Sequence, residues 1–170
     1  MAFPLRYLAL GLLMKGPGHG YQLDQILENE FQLIWKAGQT KLYLTLSDLE
    51  EEGLLSSTLE PQENRPARKV YQLTEEGKKE FLSWVTDPVP HMRAVRVELI
   101  AKLRFFDLLD IPGQQKLIHN QQAIFRSMIS EWNQEKDLET DPFFRWVHDF
   151  RIDQAQFIID WLNKYHSQLP

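Results

Sequence analysis

Cysteine is absent from all 170 residues. Its absence excludes disulfides, thiolate zinc sites and thiol catalysis, and it fits a reducing compartment. Long apolar runs are also missing, and none approaches the ~20 residues of a membrane span. The chain has no glycine-rich phosphate loop, no nucleophile elbow, no serine with an evident base partner, and no carboxylate pair that stands apart from ordinary surface acids. An enzyme is therefore not expected, and no cofactor is implied. His148, Asp149 and Asp153 come nearest to a metal or acid–base cluster. Adjacent residues diverge by about 100° around a helix and no third ligand follows at a usable spacing, so no metal site is expected either. Positive charge is scarce as well: 19 Lys and Arg stand against 24 Asp and Glu, a net charge of −5. A uniformly basic, polyanion-binding surface is thereby excluded, and any such activity must rest on local clustering of cations.

What is present suits a folded chain. With 43% hydrophobic, 12% aromatic and 25% charged residues, the composition supports one large or two small domains. Near the start, Arg6 precedes the apolar run Leu8-Ala9-Leu10-Gly11-Leu12-Leu13-Met14. The run is short and no small-residue cleavage site follows, so it reads as a buried first helix opened by Pro4, and the expected location is cytoplasmic.

Helical periodicity predicts helices over about 3–14, 19–29 and 39–52, the last with Leu42, Leu46 and Leu49 on one stripe and Gly53 as its left-handed cap. Lys15-Gly16-Pro17-Gly18 is a turn. His19 reads as a turn or cap residue. Leu54 to Thr58 can run as a strand, Glu60 to Pro66 is a polar loop, and Arg68 to Leu73 returns as a second strand. Thr74 then caps a fourth helix whose first turn carries Glu75 and Glu76. Asp87-Pro88-Val89-Pro90 marks the expected domain boundary, giving domains 1–86 and 87–170, and beyond it the pattern is helical only. The fold class is thus mainly α with a small β-hairpin.

A helix that presents a polar face, followed by a basic two-stranded hairpin, is the arrangement by which a winged helix-turn-helix grips double-stranded DNA. Lys36, Lys41, Arg65, Arg68 and Lys69 all fall in or beside this tract, while acids such as Asp107, Asp110, Asp137, Glu139 and Asp141 gather elsewhere. The face opposite the leucine stripe holds Thr40, Lys41, Leu44, Ser47, Asp48 and Glu51. The N-terminal part of a recognition helix enters the major groove, so Thr40, Lys41 and Leu44 are the expected base-edge contacts. Gln39 could reach a phosphate or a base, and Tyr43, Lys36, Arg65, Arg68 and Lys69 are candidates for the backbone or minor groove. The plain alternative is an ordinary helix surface and a solvated hairpin tip.

The final helix, about 142–165, carries two apolar stripes: Phe143, Val147, Phe150, Phe157 and Trp161 on one, Phe144, Ala155, Ile158 and Leu162 on the other. So wide an apolar surface needs more partners than a small domain supplies. A homodimer is expected, using Phe150, Phe157, Ile158 and Trp161 here and Leu99, Leu103 and Phe106 on the helix over about 93–109. Trp84, Phe105, Phe106, Trp132, Phe143, Phe144, Trp146 and Phe150 are candidates for lining a cavity for a small aromatic effector, with core and dimer packing as the alternative.

Leu10-Gly11-Leu12-Leu13, Gly16-Pro17-Gly18-His19-Gly20-Tyr21, Trp35-Lys36-Ala37, Leu42-Tyr43, Leu49-Glu50-Glu51-Glu52-Gly53-Leu54 and Arg68-Lys69-Val70-Tyr71-Gln72-Leu73-Thr74-Glu75-Glu76-Gly77 follow one another along the chain. This ordered set resembles the PadR-like transcriptional regulators. Val97 to Phe106 resembles the start of the C-terminal helical domain of that family's larger members. The resemblance implies a winged-helix N-terminal domain, a helical C-terminal dimerisation domain, and a DNA-binding regulator, most often a repressor and sometimes released by a small molecule. Family members often carry proline where this chain has Leu44, and basic residues where it has Ser47 and Asp48. The latter change, with the net charge of −5, leaves a second reading open: a winged-helix module that has lost DNA affinity and docks a protein partner.

Overall fold

The computed structural model describes residues 5–34, 38–62 and 65–167, with the backbone alone for residues 65, 66 and 166. The elements run α1 (Leu5–Leu12), a 3₁₀ turn (Leu13–Lys15), β1 (Gly18–His19), α2 (Gly20–Phe31), α3 (Gln39–Glu51), β2 (Leu55–Gln62), β3 (Arg65–Leu73), α4 (Glu75–Thr86), α5 (Met92–Ala94), a π turn (Val95–Leu99), α6 (Ile100–Leu109), α7 (Gln114–Leu138) and α8 (Pro142–His166). The fold is mainly α-helical with a small antiparallel sheet, as the sequence predicts. No helix among the described residues is long and apolar enough to cross a membrane.

The chain forms two compact units, one of residues 1–87 with 94–112, the other of residues 88–93 with 113–170. In the first, the leucine stripe of α3 is fully inside, with Leu42 and Leu46 at 0% exposure and Leu49 at 1%. Leu8, Leu23, Phe31, Phe81 and Phe105 are buried in the same unit. Arg6 of α1 donates through Nη2 to Glu52 at 2.7 Å and to Glu80 at 2.9 Å, joining α1 to the end of α3 and to α4. Gly53 ends α3 at φ 77°, the left-handed geometry expected from its place after the last periodic residue. The Thr74 hydroxyl accepts from the Gly77 N–H at 3.1 Å, so the cap of α4 is where the sequence puts it.

This division differs from a boundary at residue 87. The helical segment over 94–109, expected in a separate C-terminal domain, packs in the first unit. Its aromatics explain why. Phe105 lies 5.0 Å from Phe31 and 5.1 Å, edge-on, from Phe81. Arg104 pairs with Glu30 of α2. Lys102, only 2% exposed, donates to the Asp87 carbonyl at 2.7 Å and to Glu98 at 3.0 Å, and its Nζ sits 4.9 Å from the Trp84 ring. Trp84 donates to the same Glu98 carboxylate at 3.0 Å. Burial lowers the Lys102 pKa, and hydrogen bonding to Glu98 opposes that shift.

The second unit is a helical hairpin of α7 and α8. Gln114 donates to the Tyr165 hydroxyl at 3.0 Å, Gln122 to Asn163 at 2.8 Å, and Lys136 pairs with Asp149, so the helices run antiparallel. Gln121, fully buried on α7, accepts from the Val89 N–H at 2.6 Å and donates to the Val89 carbonyl at 2.9 Å. One amide thus satisfies both backbone groups of a buried linker residue, which fastens residues 88–93 to this unit. Asp141 caps α8 by accepting from the Phe143 N–H at 2.8 Å.

Candidate nucleic-acid interface

The hairpin is longer than the sequence suggests, and it belongs to a three-stranded antiparallel sheet in the order β1-β3-β2. The strands run on through Glu60 and Arg68 into the segment read as a polar loop. Pro61 has no N–H to give the ladder, and the register of β2 against β3 breaks there, between Glu60 and Gln62. The third strand is Gly18–His19, which pairs with Tyr71 and Val70. His19 is extended (φ −95°, ψ 155°), and its Nδ1 accepts from the Gln22 N–H at 3.3 Å. It is both a strand residue and the cap of α2, so its Nδ1 serves the local structure.

With the leucine stripe of α3 buried, Gln39, Thr40, Lys41, Tyr43, Leu44 and Asp48 face outward. Leu44 is 61% exposed, a large apolar side chain held in water at the middle of the expected reading face. Tyr43 packs its ring over the start of α2. A Cβ added at Gly20 would lie 2.3 Å from Tyr43 Cε1, so only glycine admits the ring at this distance. Lys36 lies outside the described residues. Arg65 opens β3, where its backbone pairs opposite Gln62.

The described wing cations are engaged by carboxylates. Arg68 and Glu60 are cross-strand partners. Arg68 donates from Nε at 2.9 Å and from Nη2 at 2.7 Å, both to Glu60 Oε2. Lys69 donates to Glu50 Oε2 at 2.5 Å, while the Ser57 hydroxyl donates to Glu50 Oε1 at 2.5 Å. Glu50 therefore ties α3 to both wing strands. The hydrogen bond from Lys69, aided by that from Ser57, lowers the Glu50 pKa, and the same carboxylate raises that of Lys69. Lys69 Nζ also sits 5.3 Å from the ring of Tyr71, which is 5% exposed and whose hydroxyl pKa is raised by burial. Sequence reasoning found the cations and missed their partners. Glu60 could have been matched to Arg68 once the hairpin register was known, whereas nothing in the linear spacing of Glu50 and Lys69 points to their meeting.

Residues 9–83, the span that contains α2, α3 and the wing, match the model of the transcriptional regulator PadR-like family. This span carries the domain of that family. It is 30% identical over 117 residues to the negative transcriptional regulator PadR of Bacillus subtilis, covering 69% of this chain and 64% of that protein. To the Mycobacterium tuberculosis protein named "Probable transcriptional regulator Rv1176c" it is 28% identical over 96 residues, covering 56% of this chain and 50% of that protein. These matches thus span between half and two thirds of the curated relatives' lengths. The crystal structure of Bacillus subtilis PadR in complex with operator DNA shares the fold at a TM-score of 0.50, with 24% identity over 97% of each chain.

The residues expected to dimerise separate into two kinds. Leu99, Leu103 and Phe106 are at most 3% exposed within the single chain, so they are core and offer no surface to a second copy. The cause is the packing of α6 into the first unit. Phe150 and Phe157 stand out at 54% and 70% exposure, in line along α8 with Phe143 at 61% and Trp146 at 63%. Ile158 and Trp161 are half-buried, and the inner side of α8 is formed by Ala155, Ile159 and Leu162. Of the aromatics considered for an effector cavity, Trp84, Phe105, Phe106 and Trp132 are buried, while Phe143, Phe144, Trp146 and Phe150 lie on the exposed part of α8.

Proposed function

We propose that this protein is a sequence-specific DNA-binding transcriptional regulator of the cytoplasm that acts as a homodimer on a pseudo-palindromic operator and represses by occupying a promoter. The observation that carries the reading is the union of a reading edge with a wing. Gln39, Thr40, Lys41 and Leu44 line the exposed first turns of α3, and Glu50 joins α3 to both strands of the hairpin through Ser57 and Lys69. Lysine donates to guanine and an exposed leucine meets a thymine methyl in the major groove. Arg68 and Lys69 serve phosphate, with Tyr43, Lys36 and Arg65 as further backbone candidates.

The exposed α8 stripe supports the homodimer, since a row of four large aromatics in water is an interaction surface. A two-fold dimer would set two reading edges on successive major grooves, with half-sites ~34–36 Å apart. A small aromatic effector would act by binding more tightly to a dimer geometry with a different spacing. The likeness to the negative transcriptional regulator PadR of Bacillus subtilis supports repression.

The test is binding to the duplex upstream of the protein's own gene and to random duplex over a salt series. The reading expects tighter binding to the former, weakening as salt rises. Equal and negligible binding to both at low salt would overturn it in favour of a protein-docking module, a reading that the net charge of −5 favours.

A further inference from the structure

A phosphate-gripping wing is expected to leave its cations unpaired, whereas Arg68 and Lys69 are both paired with carboxylates. Arg68 directs two N–H groups to a single oxygen of Glu60, and their cross-strand pairing keeps both side chains on one face of the hairpin. Lys69 is held in parallel by Glu50. The two pairs differ in how firmly they are set. Glu50 is fixed from three elements at once, since it is on α3 and accepts from Ser57 and Lys69. Glu60 has Arg68 as its partner on a strand of the same hairpin, and the side chains are 48% and 45% exposed. An exposed pair of this kind is worth little and exchanges readily with another oxyanion.

We propose that Glu60 is an affinity-limiting residue for DNA: it competes with phosphate for the Arg68 guanidinium, so that the wing binds DNA by exchanging one oxyanion for another and not by adding a free cation. This rests on the DNA-binding reading above. A free arginine would add a phosphate contact and its counterion release on any sequence. With Glu60 in place, each engagement of Arg68 first gives up two charge-assisted hydrogen bonds, which lowers the gain at every site. The genome offers a vast excess of non-specific sites, and a wing muted in this way leaves more of the binding to the edge of α3. The acidic balance of the chain, −5, acts in the same direction at long range, and Glu60 does so at the contact itself.

The test is a set of four proteins: wild type, Glu60→Gln, Arg68→Ala and the double variant. Each is titrated onto a labelled mixed-sequence duplex over a salt series. Glutamine keeps the shape of Glu60 and removes its charge. Glu60→Gln is expected to tighten binding about three- to tenfold at low salt and to steepen the dependence of log K on log salt by up to ~0.9, the value of one further phosphate neutralised. In the Arg68→Ala background most of that gain should vanish. A gain of equal size in both backgrounds would overturn the inference, because it would then reflect only the loss of a negative charge near DNA. An unchanged affinity of Glu60→Gln, with wild type binding normally, would also overturn it while leaving the DNA-binding reading intact. Failure of the wild type to bind any duplex would sink both.

Discussion

Phe157 provides the sharpest test of assembly. It is 70% exposed on α8, opposite the side formed by Ala155, Ile159 and Leu162. An aromatic side chain buries ~150–250 Å² when fully covered, so a phenylalanine of ~200 Å² has about 140 Å² left for a partner. At ~25 cal/mol per Å² that is about 3.5 kcal/mol per copy. Alanine retains part of this area, leaving a loss of ~2 kcal/mol per copy, and a two-fold interface contains the substitution twice. Imperfect coverage and relaxation roughly halve the total of ~4 kcal/mol. Phe157→Ala should therefore raise the dimer dissociation constant at least ~30-fold, since each 1.4 kcal/mol is a factor of ten. Sedimentation equilibrium reads this directly as the shift between 20.1 kDa and twice that mass. Urea unfolding of the isolated variant should stay near wild type, because the side chain is exposed. Ile159→Ala, at a position only 3% exposed, should instead cost about 2–5 kcal/mol of fold stability. A wild type that remains at the mass of one chain at every concentration would refute the reasoning. So would wild-type dimerisation in folded Phe157→Ala and Phe150→Ala variants.

Lys41→Ala should reduce discrimination between operator and random duplex, while Arg68→Ala should weaken both alike; competition binding separates the two, and no change in either would place the docking face elsewhere. Gly77→Ala should destabilise the first unit by ~1–3 kcal/mol, because its Cβ would lie 2.2 Å from the backbone oxygen of Leu54, and an unaltered thermal midpoint would contradict that packing. Glu50→Gln should cost less than ~1 kcal/mol at neutral pH, given the partial exposure of the pair. The Glu50 pKa is depressed on folding, so its contribution is complete above the unfolded value of 4.5 and disappears as pH falls through the folded value. The stability difference between wild type and Glu50→Gln should accordingly close in acid, and a difference that persists unchanged there would show that the ion pair is not its source.

How far the sequence carries the fold depends on whether the deciding interaction is local. Helix periods, the Thr74 cap and the Gly53 stop involve residues within a few positions of one another, and each is found where it is expected. The extent of the hairpin is less local. Pro61 suggests a loop, yet the ladder tolerates it through one register break. The division of the helical half is entirely non-local. An apolar stripe says that something must cover it, but not what. The stripe with Leu99, Leu103 and Phe106 is buried within the chain, whereas Phe143, Phe150 and Phe157 on α8 are left exposed. Both patterns look alike in one dimension. The exposed edge of α3 is readable because it is what remains of the helix once the leucines are assigned inside. The acids that hold the wing were not, since Glu50 and Lys69 are 19 positions apart and meet only through the sheet.

The charge pairing and the exposed stripe on α8 lead to one conclusion about how such a protein would bind. Gln39, Thr40, Lys41 and Leu44 form a narrow edge, and the later exposed position Asp48 is acidic. The wing cations Arg68 and Lys69 are already occupied by Glu60 and Glu50. A single copy therefore has little surplus attraction to spend on one half-site. Joining two copies makes the second contact intramolecular, and linked sites can gain about 10²–10⁴ in apparent affinity with no new contact. That gain exists only where half-site spacing matches the dimer, so weak edges on a rigid dimer discriminate by spacing as well as by base. Phe157→Ala should on this account lose operator binding far more than it loses binding to a single half-site duplex. If both fell equally, the edges themselves, and not their pairing, would carry the affinity.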